Sequence, residues 1–206
     1  LDGNGNSAPE MEAAIQDMDV AYEKLSSFPP DLNLYATIFV NLGIYSNNHV
    51  LTGSEGTALA GYLNNGGSLY MEGGDTWYYD SQTSVHSMFG ISGTSDGSGD
   101  LSTVVGQSET LTDGMSFSYG GDNNWIDHLD ATGDAEIIFN NQSPSYGTGV
   151  SYDEGNYKTI GVSHEFGGLT DGSSPSTKAD LMLAYLDFFG TSGGQVLQAI
   201  FSANLT

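Results

Sequence analysis

The stretch DLNLYATIFVNLG (31–43), followed by LTGSEGTALAGYLNNGGSLYMEGGD (51–75), decides the fold. Tyr35 to Leu42 is an apolar, β-branched run, the pattern of a buried strand. Thr52 then stands at a helix start with Glu55 three residues on, a capping box in which each satisfies a free backbone N–H near the other. Leu59, Tyr62 and Leu63 form the apolar face of that helix, and Asn65-Gly66-Gly67 stops it. Ser68 to Met71 is a second short strand, running at once into the turn Glu72-Gly73-Gly74-Asp75. Strand, helix and strand at this spacing predict a right-handed βαβ unit.

Upstream, residues 1–7 are a polar glycine-rich loop, and the spacing of Met11, Ala14, Ile15, Met18, Tyr22 and Leu25 predicts an amphipathic helix over 9–26. Downstream, 80–135 is rich in Ser, Gly, Asp and Thr, with short strand candidates near 101–105 and 115–118. A strand at 135–139 and a hairpin of 147–152 with 157–163 follow, then a helix over 177–189. The glycine-rich TSGGQ (191–195) reads as a linker, and QVLQAIF (195–201) as the first strand of something new. The domain reading is therefore one α/β unit over 1–190, with 191–206 leading into a following module.

Composition narrows the function. The 206 residues carry three lysines, no arginine and 26 acidic residues, a formal charge of −23. Nucleic-acid binding needs clustered Lys and Arg and is excluded, and an anionic membrane surface repels such a chain. No apolar run is long enough to span a bilayer. The absence of cysteine removes disulfides, thiolate metal sites and a cysteine nucleophile. Scarce lysine, strong acidity and abundant Asn, Ser, Thr, Gly and Tyr suit an extracellular or cell-surface location. The chain opens at Leu1 without a basic leader, which reads as a mature or excised piece.

The βαβ stretch, YKTIGVSHEFGGL (157–169) and the closing STKADLMLAYLDFFG (176–190) together resemble the class I glutamine amidotransferase-like fold, the DJ-1/PfpI group. That resemblance implies a three-layer α/β domain with a mainly parallel, flavodoxin-like sheet. It also implies a nucleophilic cysteine in a sharp turn after a strand, with His and Glu following a late strand. Here Glu72 stands at the cysteine position and Ser163-His164-Glu165 at the other. A carboxylate is a poor substitute for a thiolate in amide transfer, so the resemblance argues against that activity. The terminal QAIFSANLT (198–206) resembles the opening strand of a PKD or immunoglobulin-like module of a large secreted bacterial surface protein.

Glu72, Asp75, His164 and Glu165 are thus candidates for a remnant site at the sheet's carboxyl edge. Two readings stay open: a hydrolase using Glu72 and His164, or polar groups that hydrogen-bond one another. The second expects Glu72 beside an imidazolium at His164. Trp77, Tyr78, Tyr79 and Trp125, with Tyr119, are candidates for an aromatic binding platform for sugars or a partner, because three consecutive aromatics in a loop cannot all point inward. Calcium is the one candidate cofactor. Asp2, Asn4 and Asn6 alternate as in calcium loops but break the EF-hand pattern at Ser7 and Ala13, and 96–100 and 122–124 carry similar weak signals. The four histidines form no zinc-type pair. Asn141 and Asn204 head glycosylation sequons. The expected function is a non-catalytic adhesion or assembly module of a secreted or surface protein. Its expected partners are neighbouring domains or subunits, or a glycan.

Overall fold

The structure is a computed structural model that describes residues 7–16, 18, 20–192 and 198–202. In chain order the elements are α1 (Ser7–Gln16), β1 (Tyr22–Leu25), β2 (Thr37–Asn41), α2 (Gly53–Asn64), β3 (Ser68–Glu72), β4 (Ile91–Ser95), β5 (Thr103–Gly106), β6 (Ser116–Tyr119), β7 (His128–Ala131), β8 (Glu136–Asn141), β9 (Tyr146–Asp153), β10 (Lys158–Val162), β11 (Leu169–Thr170), α3 (Lys178–Phe189) and β12 (Gln198–Ser202). All the strands join one mixed sheet in the order β1-β12-β2-β3-β10-β9-β8-β5-β6-β11, with β7 pairing β9 and β4 pairing β7.

The βαβ stretch forms as its residues dictate. Glu55 N–H donates to Thr52 Oγ1 at 3.3 Å while Thr52 N–H donates to Glu55 Oε2 at 2.7 Å, closing the capping box of α2. At the other end of α2, the Tyr62 hydroxyl lies 3.1 Å from the carbonyls of Ala36 and Ser68. It thereby ties the helix to the starts of β2 and β3. The register pairs Asn41 with Glu72, and Glu72 with Val162, so β2, β3 and β10 end level. Everything that follows them emerges at one edge.

Alternation along the central strands sends side chains to both faces. Phe39, Tyr70, Ile160 and Ile200 meet Met11 and Ile15 of α1 and Leu181, Tyr185 and Phe189 of α3. Tyr70 lies 5.5 Å from Phe39 and 5.3 Å from Tyr185, tilted in both cases. Ile38, Val40, Leu69, Met71 and Ala199 face the other way, onto Leu59, Tyr62 and Leu63 of α2. Each fully buried side chain of this size contributes roughly 1.5–3 kcal/mol.

Three expectations are corrected. The sheet is not the mainly parallel, three-layer flavodoxin-like one. Only β1, β12, β2, β3 and β10 run parallel to one another; β9 joins β10 antiparallel, and β4 to β9 and β11 are joined antiparallel. The stretch 80–135 supplies β4 to β7: β5 and β6 fall at the strand candidates near 101–105 and 115–118, while β4 and β7 were not read from the sequence. Those strands are four or five residues long and half-exposed, so they lack the continuous apolar signature.

The helix expected over 9–26 ends at Gln16, and Tyr22–Leu25 is a strand. Its partner is β12, at the far end of the chain, which no local window can see. Finally, Gln198–Ser202 does not open a following module. It lies between β1 and β2, parallel to both. Ala199 and Ile200 are buried on opposite faces, which is what an inner strand requires. Residues 193–195 of the expected linker, 195–197 of the expected strand after it, and Asp2, Asn4 and Asn6 of the expected calcium loop lie outside the described residues.

Candidate functional site

The level ends of β2 and β3 lead into the loops that carry Tyr45 and Asp75 to Tyr79. Asp96 follows β4, and Asn123 to Asp127 precede β7. These segments surround a cavity of about 320 Å³ lined by Tyr45, Asp75, Tyr79, Asp96, Asn123 and Trp125. It sits where ligands gather in α/β sheets, beyond the carboxyl ends of parallel strands.

Buried carboxylates pin the loops. Asp127 Oδ2 accepts the backbone N–H of Trp77 at 2.9 Å and of Tyr78 at 2.7 Å, and Asp127 N–H donates to the Gly74 carbonyl at 2.7 Å. Glu165 Oε2 accepts Asn123 N–H at 3.0 Å and lies 2.8 Å from the Tyr119 hydroxyl. Asn123 Oδ1 in turn accepts Trp125 N–H at 2.9 Å. Gly97 lets the 96–100 loop press onto this wall: its φ is +73°, and a Cβ there would collide with the Ile126 carbonyl oxygen.

The result is a concentrated negative site. One carboxylate oxygen from each of Asp75, Asp96 and Asp127 lies within 4.8 Å of the others. Burial, then the charges of Asp80 and Asp96, push Asp75 up to about 6. Burial pushes Asp127 up to about 7, with the Asp75 charge adding to it. An oxygen-only set of this kind suits a hard cation.

The remnant-site residues are present at the edge but do not form the expected pair. Glu72 is buried, and its Oε2 accepts Phe166 N–H at 2.8 Å and the Tyr70 hydroxyl at 2.7 Å. Ser7 also donates to it, and the Ser7 hydroxyl accepts Gly167 N–H at 3.0 Å. His164 is fully buried against Phe139, its Nδ1 3.1 Å from the Thr148 carbonyl. No hydrogen bond joins Glu72 to His164 among the described residues.

The expected imidazolium is corrected as well. Burial lowers His164 to about 4, leaving it neutral, and raises Glu72 to about 7. Neither lines the cavity. Asp75 does line it, whereas Glu165 acts from behind by holding Asn123.

The aromatic set divides. Tyr79 and Trp125 line the cavity at 62% and 54% exposure, and Tyr78 is exposed beside it. Trp77 is 1% exposed and belongs to the core: its indole N–H donates to the Val162 carbonyl at 2.9 Å and its ring meets Phe89 edge-on at 5.0 Å. Tyr119 packs at the rim of the core. Tyr45, 68% exposed, was not singled out from the sequence. Its only signal is its place just after a strand and Gly43.

Asp127 was missed too, because nothing local marks it. The segment 96–100, read as a weak cation signal, does bring Asp96 to the cavity, and 122–124 brings Asn123. Asn141 of the first sequon is fully buried and donates to the Pro144 carbonyl at 2.8 Å, so it is closed to glycosylation in the folded chain.

No protein-family model and no curated protein matches the chain. Solved structures do. A β-galactosidase from Bacillus circulans sp. alkalophilus matches with a TM-score of 0.61 and 13% identity over 90% of this chain. This chain spans 27% of that enzyme's length. An exo-β-1,4-mannosidase from Opitutaceae bacterium strain TAV5 matches with a TM-score of 0.53 and 12% identity, covering 91% of this chain and 29% of that one. A cytoplasmic protein from Salmonella typhimurium matches with a TM-score of 0.57 and 15% identity, covering 90% of this chain and 85% of that one. At these identities the likeness is one of fold. The resemblance to the class I glutamine amidotransferase-like group is corrected accordingly: these matches include pieces of two glycosidases and a cytoplasmic protein, and the sheet is mixed.

Proposed function

We propose that this domain is a non-catalytic binding module that takes a sugar in the cavity between Tyr45, Tyr79 and Trp125. The observation that carries the reading is the cavity itself, an acidic floor under three exposed aromatic rings. Aromatic faces pack against the C–H faces of sugar rings, and carboxylate and amide oxygens accept hydroxyl hydrogen bonds. Support comes from the likeness to about a quarter of a β-galactosidase and of a mannosidase, a fraction suited to one module of a larger enzyme. A role in adhesion at a cell surface or outside the cell follows from the charge of −23 and the scarcity of lysine. Neighbouring domains or subunits of a surface assembly are then the protein partners. The hydrolase reading loses ground, because His164 is fully buried away from the cavity with its basicity lowered by that burial, and Glu72 anchors a loop.

The test is a glycan array followed by calorimetry with galacto- and manno-oligosaccharides. Trp125→Ala and Tyr79→Ala are expected to abolish binding with the circular dichroism unchanged. Binding by no saccharide, or binding indifferent to both substitutions, would overturn the reading.

A further inference from the structure

The geometry points to a binding site for one calcium ion, held by Asp75 and Asp96, which line the cavity, and by the buried Asp127 beside them. The three carboxylate oxygens lie within 4.8 Å of one another. A single ion at about 2.3–2.6 Å from each fits that spacing.

A second observation does not depend on their clustering. Asp127 is fully buried and its Oδ1 has no hydrogen-bond partner, and Asp75 is 6% exposed with Oδ2 in the same condition. A buried carboxylate oxygen without a donor is costly, and buried charge is normally paired or metal-bound. The chain has no side-chain cation to offer. There is no arginine, and the three lysines pair with Glu12, Asp153 and Glu10.

Ligand type selects the ion. The set is all oxygen, without the imidazole or thiolate that zinc and copper prefer. Calcium takes several waters or carbonyls beside its carboxylates in flexible geometry, and the cavity leaves room for them. Gly97 holds the arrangement together by letting the Asp96 loop approach the Ile126 backbone, next to Asp127 in the chain. The inference does not rest on the sugar reading, and its test contains no saccharide.

The experiment is calorimetric titration of the EDTA-stripped chain with calcium chloride in about 0.15 M sodium chloride, which screens the diffuse pull of the net charge. Terbium luminescence sensitised through Trp125 is the second readout. Saturable binding near one ion per chain is expected. Asp96→Asn, at a partly exposed loop position, should weaken it at least about tenfold. Asp127→Asn should abolish it, with circular dichroism checking that the fold survives. Asp134→Asn, which removes an exposed carboxylate elsewhere, should leave it unchanged. The site is refuted by absence of saturable binding, by binding that Asp96→Asn and Asp127→Asn both leave intact, or by an equal loss in Asp134→Asn. Magnesium binding more tightly than calcium would overturn the choice of ion.

Discussion

Replacing Glu72 with Gln tests the reading of the buried edge most sharply. The carboxyl is enclosed by Tyr70, Phe166 and Ser7, with the Glu165 charge adding to the effect of burial. Burial first, then the Glu165 charge, raise it from its ordinary 4.5 to about 7, against the hydrogen bonds from Ser7, Phe166 and Tyr70, which lower it. The folded chain then holds this proton up to about pH 7, while the unfolded chain releases it near pH 4.5. The stability it contributes is fully present below pH 4.5 and is lost as pH rises through 7. At about 1.4 kcal/mol per pH unit, the loss is roughly 3 kcal/mol.

A glutamine keeps an oxygen for the Phe166 N–H and the Tyr70 hydroxyl but cannot ionise. The measurement is urea unfolding of the parent and Glu72→Gln at pH 4.5 and pH 8. Relative to the parent, the variant should gain roughly 3 kcal/mol between the two. Only the difference is informative, because other raised carboxyls and the opposing slope of His164 act on both proteins. A difference that does not change with pH would refute the argument. A change of opposite sign would restore the ionised Glu72 and imidazolium pair expected from the sequence.

Three further outcomes follow from the same structure. His164→Leu should remove a loss of roughly 3 kcal/mol on acidification, seen as the difference in unfolding free energy between pH 7 and pH 4. The folded His164 sits at about 4, so its contribution is present above its ordinary 6.5 and lost as pH falls through 4. Trp77→Ala should cost about 3–5 kcal/mol as a core truncation, whereas Trp125→Ala should stay within about 0.5 kcal/mol in the same denaturant series. Gly97→Ala should destabilise by about 1–3 kcal/mol, because it combines a left-handed φ with a backbone collision, and thermal unfolding measures it.

The βαβ stretch was legible because its signals are local and agree with one another: a capping box, a helical face, a glycine stop and two apolar strands. The antiparallel half was legible only in part: the strands read near 101–105, 115–118 and 135–139 and the hairpin of 147–152 with 157–163 correspond to β5, β6, β8, β9 and β10, whereas β4, β7 and the order of pairing were not read. β4 and β7 are short and half-exposed, and several pairings link segments far apart in the chain, as β4 does with β7 and β5 with β8. The C-terminal strand was legible as a strand, but its place depended on β1, which local periodicity had assigned to a helix. Trp77 shows the limit on side chains. Three aromatics in a row announce that some point outward, but which one is buried depends on Val162 and Phe89 from other elements.

The edge residues gain a common explanation once the bonds are traced. Glu72 holds the Phe166 N–H, Glu165 the Asn123 N–H, and Asp127 the N–H groups of Trp77 and Tyr78. Each is a buried acceptor for backbone donors that a loop would otherwise leave unpaired. Hydrogen bonds to carboxylates contribute more than neutral ones. Acidic residues at strand ends therefore need no catalytic purpose to stay there: they fix loops whose outer faces present Tyr79, Asn123 and Trp125. What separates Asp127 and Asp75 from Glu72 is a free oxygen beside two other carboxylates. Loop anchoring accounts for the bonded oxygens; Glu165 Oε1 is also free but, among the described residues, has no such cluster around it, which leaves the free oxygens of Asp75 and Asp127 for a ligand to explain.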